Sequence, residues 1–335
     1  MTPAAYPLRF APLIKHTIWG GNKLGTLLGK SIGSTGDHAE SWEIVDHGKD
    51  QSIVTNGALQ GTSLGELVRD HREWLMGEHY KSGSGGPNSP QPEGTFPLLL
   101  KYLDCNRVLS VQVHPDDEYG QKMDPPDLGK TEAWYVVDAE PGSLIYAGLR
   151  SGVDRSELSN AMKHGKTDEV LHQFEAHAGD CVFIPAGTVH ALGAGLVIAE
   201  IQQSSDTTFR LFDWNRVGSD GQPRPLHIEA SLDVTDYETG PVAPIQPKPG
   251  MAGMQPLVAC DKFELFSLAE SESQIGGDGR FHILTVPHGS AELQTSNLSL
   301  TLRRGESVLL PASIDACTLR VEQASTVLSA CLPLA

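Results

Sequence analysis

Residues 179–192 read GDCVFIPAGTVHAL and fit the spacing G-x5-P-x-G-x2-H, with Gly179, Pro185, Gly187 and His190 at its fixed places. The run CVFI is apolar and rich in strand formers. Pro185 cannot donate to a sheet ladder, and glycine adopts backbone conformations closed to other residues, so the pair predicts a tight turn. That turn sets His190 at the start of a second strand. The same frame returns downstream as GESVLLPASIDACTL from Gly305, with a Gly–acid start, an apolar run and a Pro-Ala turn. Counted from each proline, His190 falls opposite Ala316. A repeat that keeps its apolar frame and drops its histidine predicts two related β-barrels, only the first with a polar site.

The remaining sequence agrees with a mainly β fold. From Phe96 onward, PLLLKYL, VLSVQVHP, EAWYVV, SLIYAGL, HALGAGLVIAEI and TFRLFDW alternate with turn residues, and the chain holds 35 Gly and 22 Pro. A few helices belong to the N-terminal part. Ser63-Leu64-Gly65-Glu66 has capping-box spacing, with Leu64, Leu67, Val68, His71 and Leu75 on one stripe and Gly77 as a stop. Asp154 opens a second helix that ends at Gly165, and TDEVLHQF predicts a third from Thr167. The stretch KSGSGGPNSPQPEG predicts a flexible loop over 81–94. TGPVAPIQPKPG predicts a Pro-rich linker over 239–254. The expected division is a catalytic domain over 1–238 and a β-domain over 255–335 that lacks metal ligands.

Composition narrows the partners. A formal charge of −17 argues against nucleic acid and anionic membrane. It also repels a phosphorylated substrate, so such a substrate needs a local cluster of Lys and Arg. Five scattered cysteines without a CxxC pair predict neither a disulfide framework nor a thiolate zinc site. No apolar run has signal-peptide or membrane-spanning character, and the longest, Ala191–Ile201, contains Glu200. A cytoplasmic protein is expected.

Upstream, SVQVHPDDEYG places Gln112 and His114 on one face of a strand and Val111 and Val113 on the other. The valines enter a core, and the polar pair faces water, a partner or a metal. With Glu132 in GKTEAWYVV and His190, these residues resemble the two cupin motifs, with Gln112 where the first histidine is usual. An amide, a carboxylate and two imidazoles suit zinc or another divalent ion. IWGGNKL at Ile18, HAESWEIVDH at His38, FPLLLKYLD at Phe96, QVHPDDEYG, GKTEAWYVV and AEIQQSSDTTFRLFDW at Ala199 resemble type I phosphomannose isomerase in its short bacterial form. The resemblance is dense from Trp19 to about Trp214 and loose beyond. It implies two cupin-type jelly-roll β-barrels and a metal-dependent aldose–ketose isomerase acting on mannose 6-phosphate and fructose 6-phosphate. It further implies one Zn2+ per chain on Gln112, His114, Glu132 and His190, with Arg210 as the catalytic arginine.

Such a reaction moves a proton between carbon 1 and carbon 2 through an enediol, so it needs a tuned base and positive charge for the enediolate. Glu200 alternates with Ala199 and Ile201 and can point toward the histidines as base or acid. Lys101 sits in the apolar strand PLLLKYL, and Lys130 shares the face of Glu132. With Arg210 they supply the local positive cluster that the chain otherwise lacks. Trp19 and Trp42 are candidate walls of the sugar pocket. Two other readings share these residues: an iron dioxygenase of the same fold and a non-catalytic sugar-binding cupin.

Overall fold

The computed structural model describes residues 3–78, 94–217, 221–248, 251 and 253–334. The loop expected over 81–94 lies, apart from Gly94, outside the described residues. In chain order the first thirteen strands are β1 (Leu13–Gly21), β2 (His38–Ile44), β3 (Asp46–His47), β4 (Asp50–Gln51), β5 (Leu98–Cys105), β6 (Val111–Val113) and β7 (Glu132–Ala139). They continue as β8 (Leu144–Leu149), β9 (Leu171–Glu175), β10 (Cys181–Ile184), β11 (His190–Leu192), β12 (Leu196–Gln203) and β13 (Phe209–Phe212). Eleven of them build a six-stranded sheet in the order β1-β2-β5-β12-β7-β10 and a facing five-stranded sheet in the order β13-β6-β11-β8-β9, while β3 and β4 pair with each other. Strands between Gly253 and Cys331 build a second sandwich of five and four strands. The mainly β expectation holds, with each half a pair of facing sheets; among the described residues no sheet closes on itself.

Alternation along the strands explains how these sheets stack. In β12, Leu196 and Ile198 point into the first sandwich, with Leu103, Trp134, Val136, Ile145, Val182 and Leu192. Val197, Ala199 and Ile201 point the other way, against Leu265, Ile283, Leu328 and Ala330 of the second sandwich. The six-stranded sheet is therefore buried on both faces, and all eight residues of β5 and of β12 are buried. On the outer face of the five-stranded sheet, Val111, Val113 and Ala191 pack under the helices Arg155–Lys163 and Ile228–Val234.

The sequence echo has a structural counterpart. Cys181–Ile184 lies at the edge of one sheet and His190–Leu192 in the facing sheet, and Ser307–Leu310 and Cys317–Val321 repeat that arrangement in the second sandwich. The connector predicted as a linker lies on the first sandwich. Ile245 and Cys181 exchange backbone hydrogen bonds of 2.7 and 2.8 Å, and Gln246 reaches Asp180 at 2.6 Å. It thereby covers β10, the edge that would otherwise expose unpaired backbone groups. At the other end of the chain Leu8 exchanges backbone bonds with Leu309, tying the N-terminal segment to the second sandwich.

Two helix expectations need correction. The capping box at Ser63 is present, with Ser63 Oγ accepting from the Glu66 amide and Glu66 accepting from Ser63. The stripe behind it forms two helices, however, Leu64–Asp70 and Arg72–Met76, broken at His71 and ended by Gly77 at φ 91°. TDEVLHQF forms only a short 3-10 turn over Thr167–Val170 and then strand β9. Pairing of Leu144–Tyr146 with Gln173–Glu175 outweighs the helical propensity of that segment. All five cysteines are free, as their spacing predicts.

Candidate functional site

The site lies at the polar end of the space between the first two sheets. Lys101 on β5, Glu132 on β7 and Glu200 on β12 share the inward face that carries Leu103, Trp134 and Ile198 further along. Glu200 is the register partner of both Lys101 and Trp134, and Gln202 is the partner of Glu132. From the opposite sheet, Gln112 pairs with His190 on one side and with Arg210 on the other. The QVH stretch thus delivers its valines to the helix-covered core and its amide and imidazole to the site.

The turn before His190 folds as its residues require. Gly187 has φ 85°, and a Cβ there would stand 3.1 Å from the carbonyl oxygen of Val234. Its amide donates to the carbonyl of His114 at 2.9 Å, so one turn fixes both histidine segments. Each imidazole is oriented by a backbone carbonyl: His114 Nδ1 donates to Thr207 at 2.9 Å, and His190 Nδ1 to Thr188 at 2.8 Å. The two Nε2 atoms then turn toward Glu132, at 3.6 Å from Oε2 for His114 and 3.5 Å from Oε1 for His190. Gln112 places its amide 3.2 Å from His190 Nε2, and rotation about its last bond offers either oxygen or nitrogen.

These residues suit a divalent ion. Burial, and after it the charge of Lys130, holds both imidazoles neutral: His114 lies well below the ordinary histidine value and His190 is lowered to about 3. A neutral imidazole keeps a lone pair on Nε2, the atom that meets Lys130 in His114 and Gln112 in His190. Glu132 Oε1 is buried with no hydrogen-bond donor, and such a lone pair is costly unless something accepts it. His114, Glu132 and His190 are all buried, with one ligating atom each within 4.8 Å of the others. The donors are nitrogen and oxygen without sulfur, which fits zinc and its neighbours in the first transition row.

Beside the ligands runs a buried chain of charges. Lys130 Nζ bonds to His114 Nε2 at 3.0 Å and to Glu132, and lies 3.4 Å from Glu200. Glu200 is also 3.2 Å from Lys101, whose ammonium is 3.3 Å from Glu40. Trp42 Nε1 closes the chain with a 2.7 Å hydrogen bond to Glu40. Burial alone would raise Glu200, but Lys101 and Lys130 outweigh it and keep its carboxyl ionised. Burial likewise would depress Lys101, and Glu200 and Glu40 hold it protonated.

Arg210 sits on the inward face of β13 beside Gln112, with Nε 3.3 Å from Ser110 Oγ and a second nitrogen donating to Pro225 at 3.0 Å. Its neighbours Arg216 and Arg224 both grip Asp213, at 2.6 and 2.5 Å. Two guanidinium groups on Asp213, with Arg210 in electrostatic range, concentrate positive charge locally in an acidic chain. Trp42 touches the charge chain, whereas Trp19 is 6% exposed in the apolar core with Leu103 and Leu109.

Two residues of the site escaped the sequence reading. Glu40 stands in HAESWEI, and its link to Lys101 depends on the pairing of β2 with β5, which no local pattern announces. Asp206, in the SSDTT loop, lies within electrostatic range of Lys101, Glu40, Lys130 and His47. Its position among loop-forming residues gave no signal beyond a turn.

Comparison with known proteins places this arrangement in a family. Residues 8–145 match the model of the type I phosphomannose isomerase catalytic domain, a span that includes Gln112, His114 and Glu132 and stops before His190. The chain is 35% identical over 312 residues to mannose-6-phosphate isomerase ManA of Bacillus subtilis, covering 91% of this chain and 93% of that protein. It is 35% identical over 318 residues to mannose-6-phosphate isomerase of Streptococcus mutans, covering 92% and 94%. Among solved structures, mannose 6-phosphate isomerase from Bacillus subtilis superposes with a TM-score of 0.84 at 30% identity, over 98% of this chain and 99% of that one.

Proposed function

The chain belongs to the type I phosphomannose isomerases, and we propose that its isomerase chemistry runs on the buried charge chain beside His114, Glu132 and His190. It is a metal-dependent mannose-6-phosphate isomerase, interconverting mannose 6-phosphate and fructose 6-phosphate. The observation that carries the site assignment is the convergence of three buried metal-capable side chains with Lys130, Glu200 and Lys101 within hydrogen-bonding reach of one another.

In this reading Gln112, His114, Glu132 and His190 hold one Zn2+. Held there, such an ion would supply Lewis acidity to the substrate. Gln112 is neutral and weakly donating and would leave such an ion more electrophilic than a third imidazole would. Glu200, held ionised by two ammonium groups, takes the carbon-bound proton and returns it to the neighbouring carbon. Lys101 and Lys130 orient that carboxylate and stabilise the charge it passes on. Arg210 offers a fixed cation to the enediolate. Arg216 and Arg224 extend that patch toward the phosphate, and Trp42 forms the wall behind Glu40. The acidic chain and its metabolite substrate fit the cytoplasm, and among the described residues no helix is long and apolar enough to cross a membrane.

A basic cluster beside the ligands has no use in an iron dioxygenase, and family membership sets a binding-only cupin aside. The test is proton NMR of mannose 6-phosphate in deuterated water with zinc-loaded protein, a chelated sample and Arg210→Ala. Deuterium entering carbon 1 or carbon 2 as fructose 6-phosphate forms, in the first sample alone, is expected. Full turnover in the chelated sample would sink the metal assignment, and full turnover by Arg210→Ala would remove Arg210 from the reaction.

A further inference from the structure

A second group of ligating side chains lies at the outer edge of the six-stranded sheet. His16 on β1, Asp37 just before β2 and His38 at its start present one ligating atom each within 4.8 Å of the others. A break in the ladder brings them together. His38 is the register partner of both His16 and Gly21, so the end of β1 arches over a single position of β2 and leaves the two imidazoles adjacent. Their ring centroids are 4.8 Å apart, tilted at 53°. His16 Nδ1 is hydrogen-bonded to Asp37 Oδ1 at 2.9 Å, and Thr35 Oγ1 donates to the same oxygen at 2.6 Å, so these contacts hold the carboxylate beside the two imidazoles.

His38 supplies an independent sign of a ligand. It is 2% exposed, and its Nδ1 is buried with no hydrogen-bond partner. Its other nitrogen has only Thr35 Oγ1, at 3.5 Å. A buried imidazole with an unmet nitrogen is costly in a protein interior, and ligation at either nitrogen would orient and anchor the ring. His16 and Asp37 have side chains half exposed, so an ion can enter from solvent.

We propose that His16, Asp37 and His38 form a second divalent-cation site, distinct from the buried cluster and selective for zinc-class transition ions. Two imidazoles and one carboxylate exclude a preference for calcium or magnesium, which take oxygen ligands. Three ligands on a surface bind more weakly than the buried set, so this site fills second. The ion clamps β1 to β2 at the point where their ladder breaks, two residues ahead of Glu40. Its role is to brace the hairpin that carries Glu40 and Trp42.

The test uses full-length protein carrying one equivalent of zinc after desalting. Further Zn2+ is titrated by calorimetry and Co2+ by its visible absorption, in wild type, His16→Ala and Asp37→Asn. Wild type should take up a second equivalent, His16→Ala should bind it at least tenfold more weakly, and isomerase activity at one equivalent should be unchanged. Added zinc should raise the melting temperature of wild type and not of His16→Ala. Failure to take up a second ion, or uptake that His16→Ala and Asp37→Asn leave unaltered, would overturn the proposal. His16 is exposed, so its replacement does not endanger folding.

Discussion

Replacing Lys101 by Met tests whether the charge chain is a built device. The side chain of Lys101 is 10% exposed, and its ammonium lies 3.2 Å from Glu200 and 3.3 Å from Glu40. At an effective dielectric of about 20, each such pair is worth roughly 5 kcal/mol before desolvation is counted. Methionine keeps the length of the stem and removes the charge, leaving two carboxylates facing each other in a buried space. Breaking a buried pair in this way costs about 3–5 kcal/mol. With an unfolding entropy of about 2.1 cal/mol/K per residue, a 335-residue chain loses roughly 4–7 °C in melting temperature. Calorimetry of the zinc-loaded protein measures that shift. The decisive comparison is the double variant Lys101→Met with Glu200→Gln, in which the surplus negative charge is gone. It should melt above Lys101→Met alone. If the two losses simply add, or if Lys101→Met melts within 1 °C of wild type, the reasoning fails.

Other outcomes follow from the same geometry. His190→Ala should leave the protein folded but unable to retain its first zinc through desalting, with activity lost in step; retention of a full equivalent would contradict the ligand set. Arg210→Ala should lower kcat by about 10²–10³-fold, the usual loss when one electrostatic donor is removed. Arg210→Lys should not restore it, because one ammonium cannot serve Ser110 and Pro225 together as the planar guanidinium does. Burial would raise Asp213, but hydrogen bonds from Arg224 and Arg216 prevail and hold its carboxyl below the ordinary value. A carboxyl lowered on folding contributes stability above its unfolded pKa of about 3.9, and that contribution is lost as pH falls through the folded value. Asp213→Asn should therefore be less stable than wild type at neutral pH and converge with it in acid, as read by melting temperature against pH. Ile245→Pro removes the amide that bonds to Cys181 and uncovers the edge of β10. It should cost about 1–3 kcal/mol and promote aggregation on heating, as light scattering would record.

What the sequence disclosed and what it withheld divide along the range of the interactions. Pro185, Gly187 and His190 were legible because a tight turn needs special residues at fixed spacing. The sides taken by Gln112, His114 and Lys130 were legible because period-two alternation carries from β6 and β7 into the residues that flank them. Glu40 was not, since its role exists only once β2 lies beside β5. The segment from Thr167 misled for a related reason. Its residues favour a helix locally, and a hydrogen-bonding partner on β8 decided otherwise. The Pro-rich connector looked like a spacer because prolines do not join ladders, yet Ile245 pairs with Cys181 and seals the sheet.

The six-stranded sheet has a consequence for mutational tolerance. Every position of β12 has a neighbour to satisfy: Leu196 and Ile198 in the core of the first sandwich, Glu200 in the charge chain, and Val197, Ala199 and Ile201 against the second sandwich. A substitution at Ala199 or Ile201 that shifted the backbone to relieve crowding against Leu328 would carry Glu200 with it. The second sandwich, which among the described residues adds no side chain to the His114–Glu132–His190 cluster, is thus the mould against which β12 is cast. A shortened gene encoding the first sandwich alone would yield a strand with one side of its mould missing.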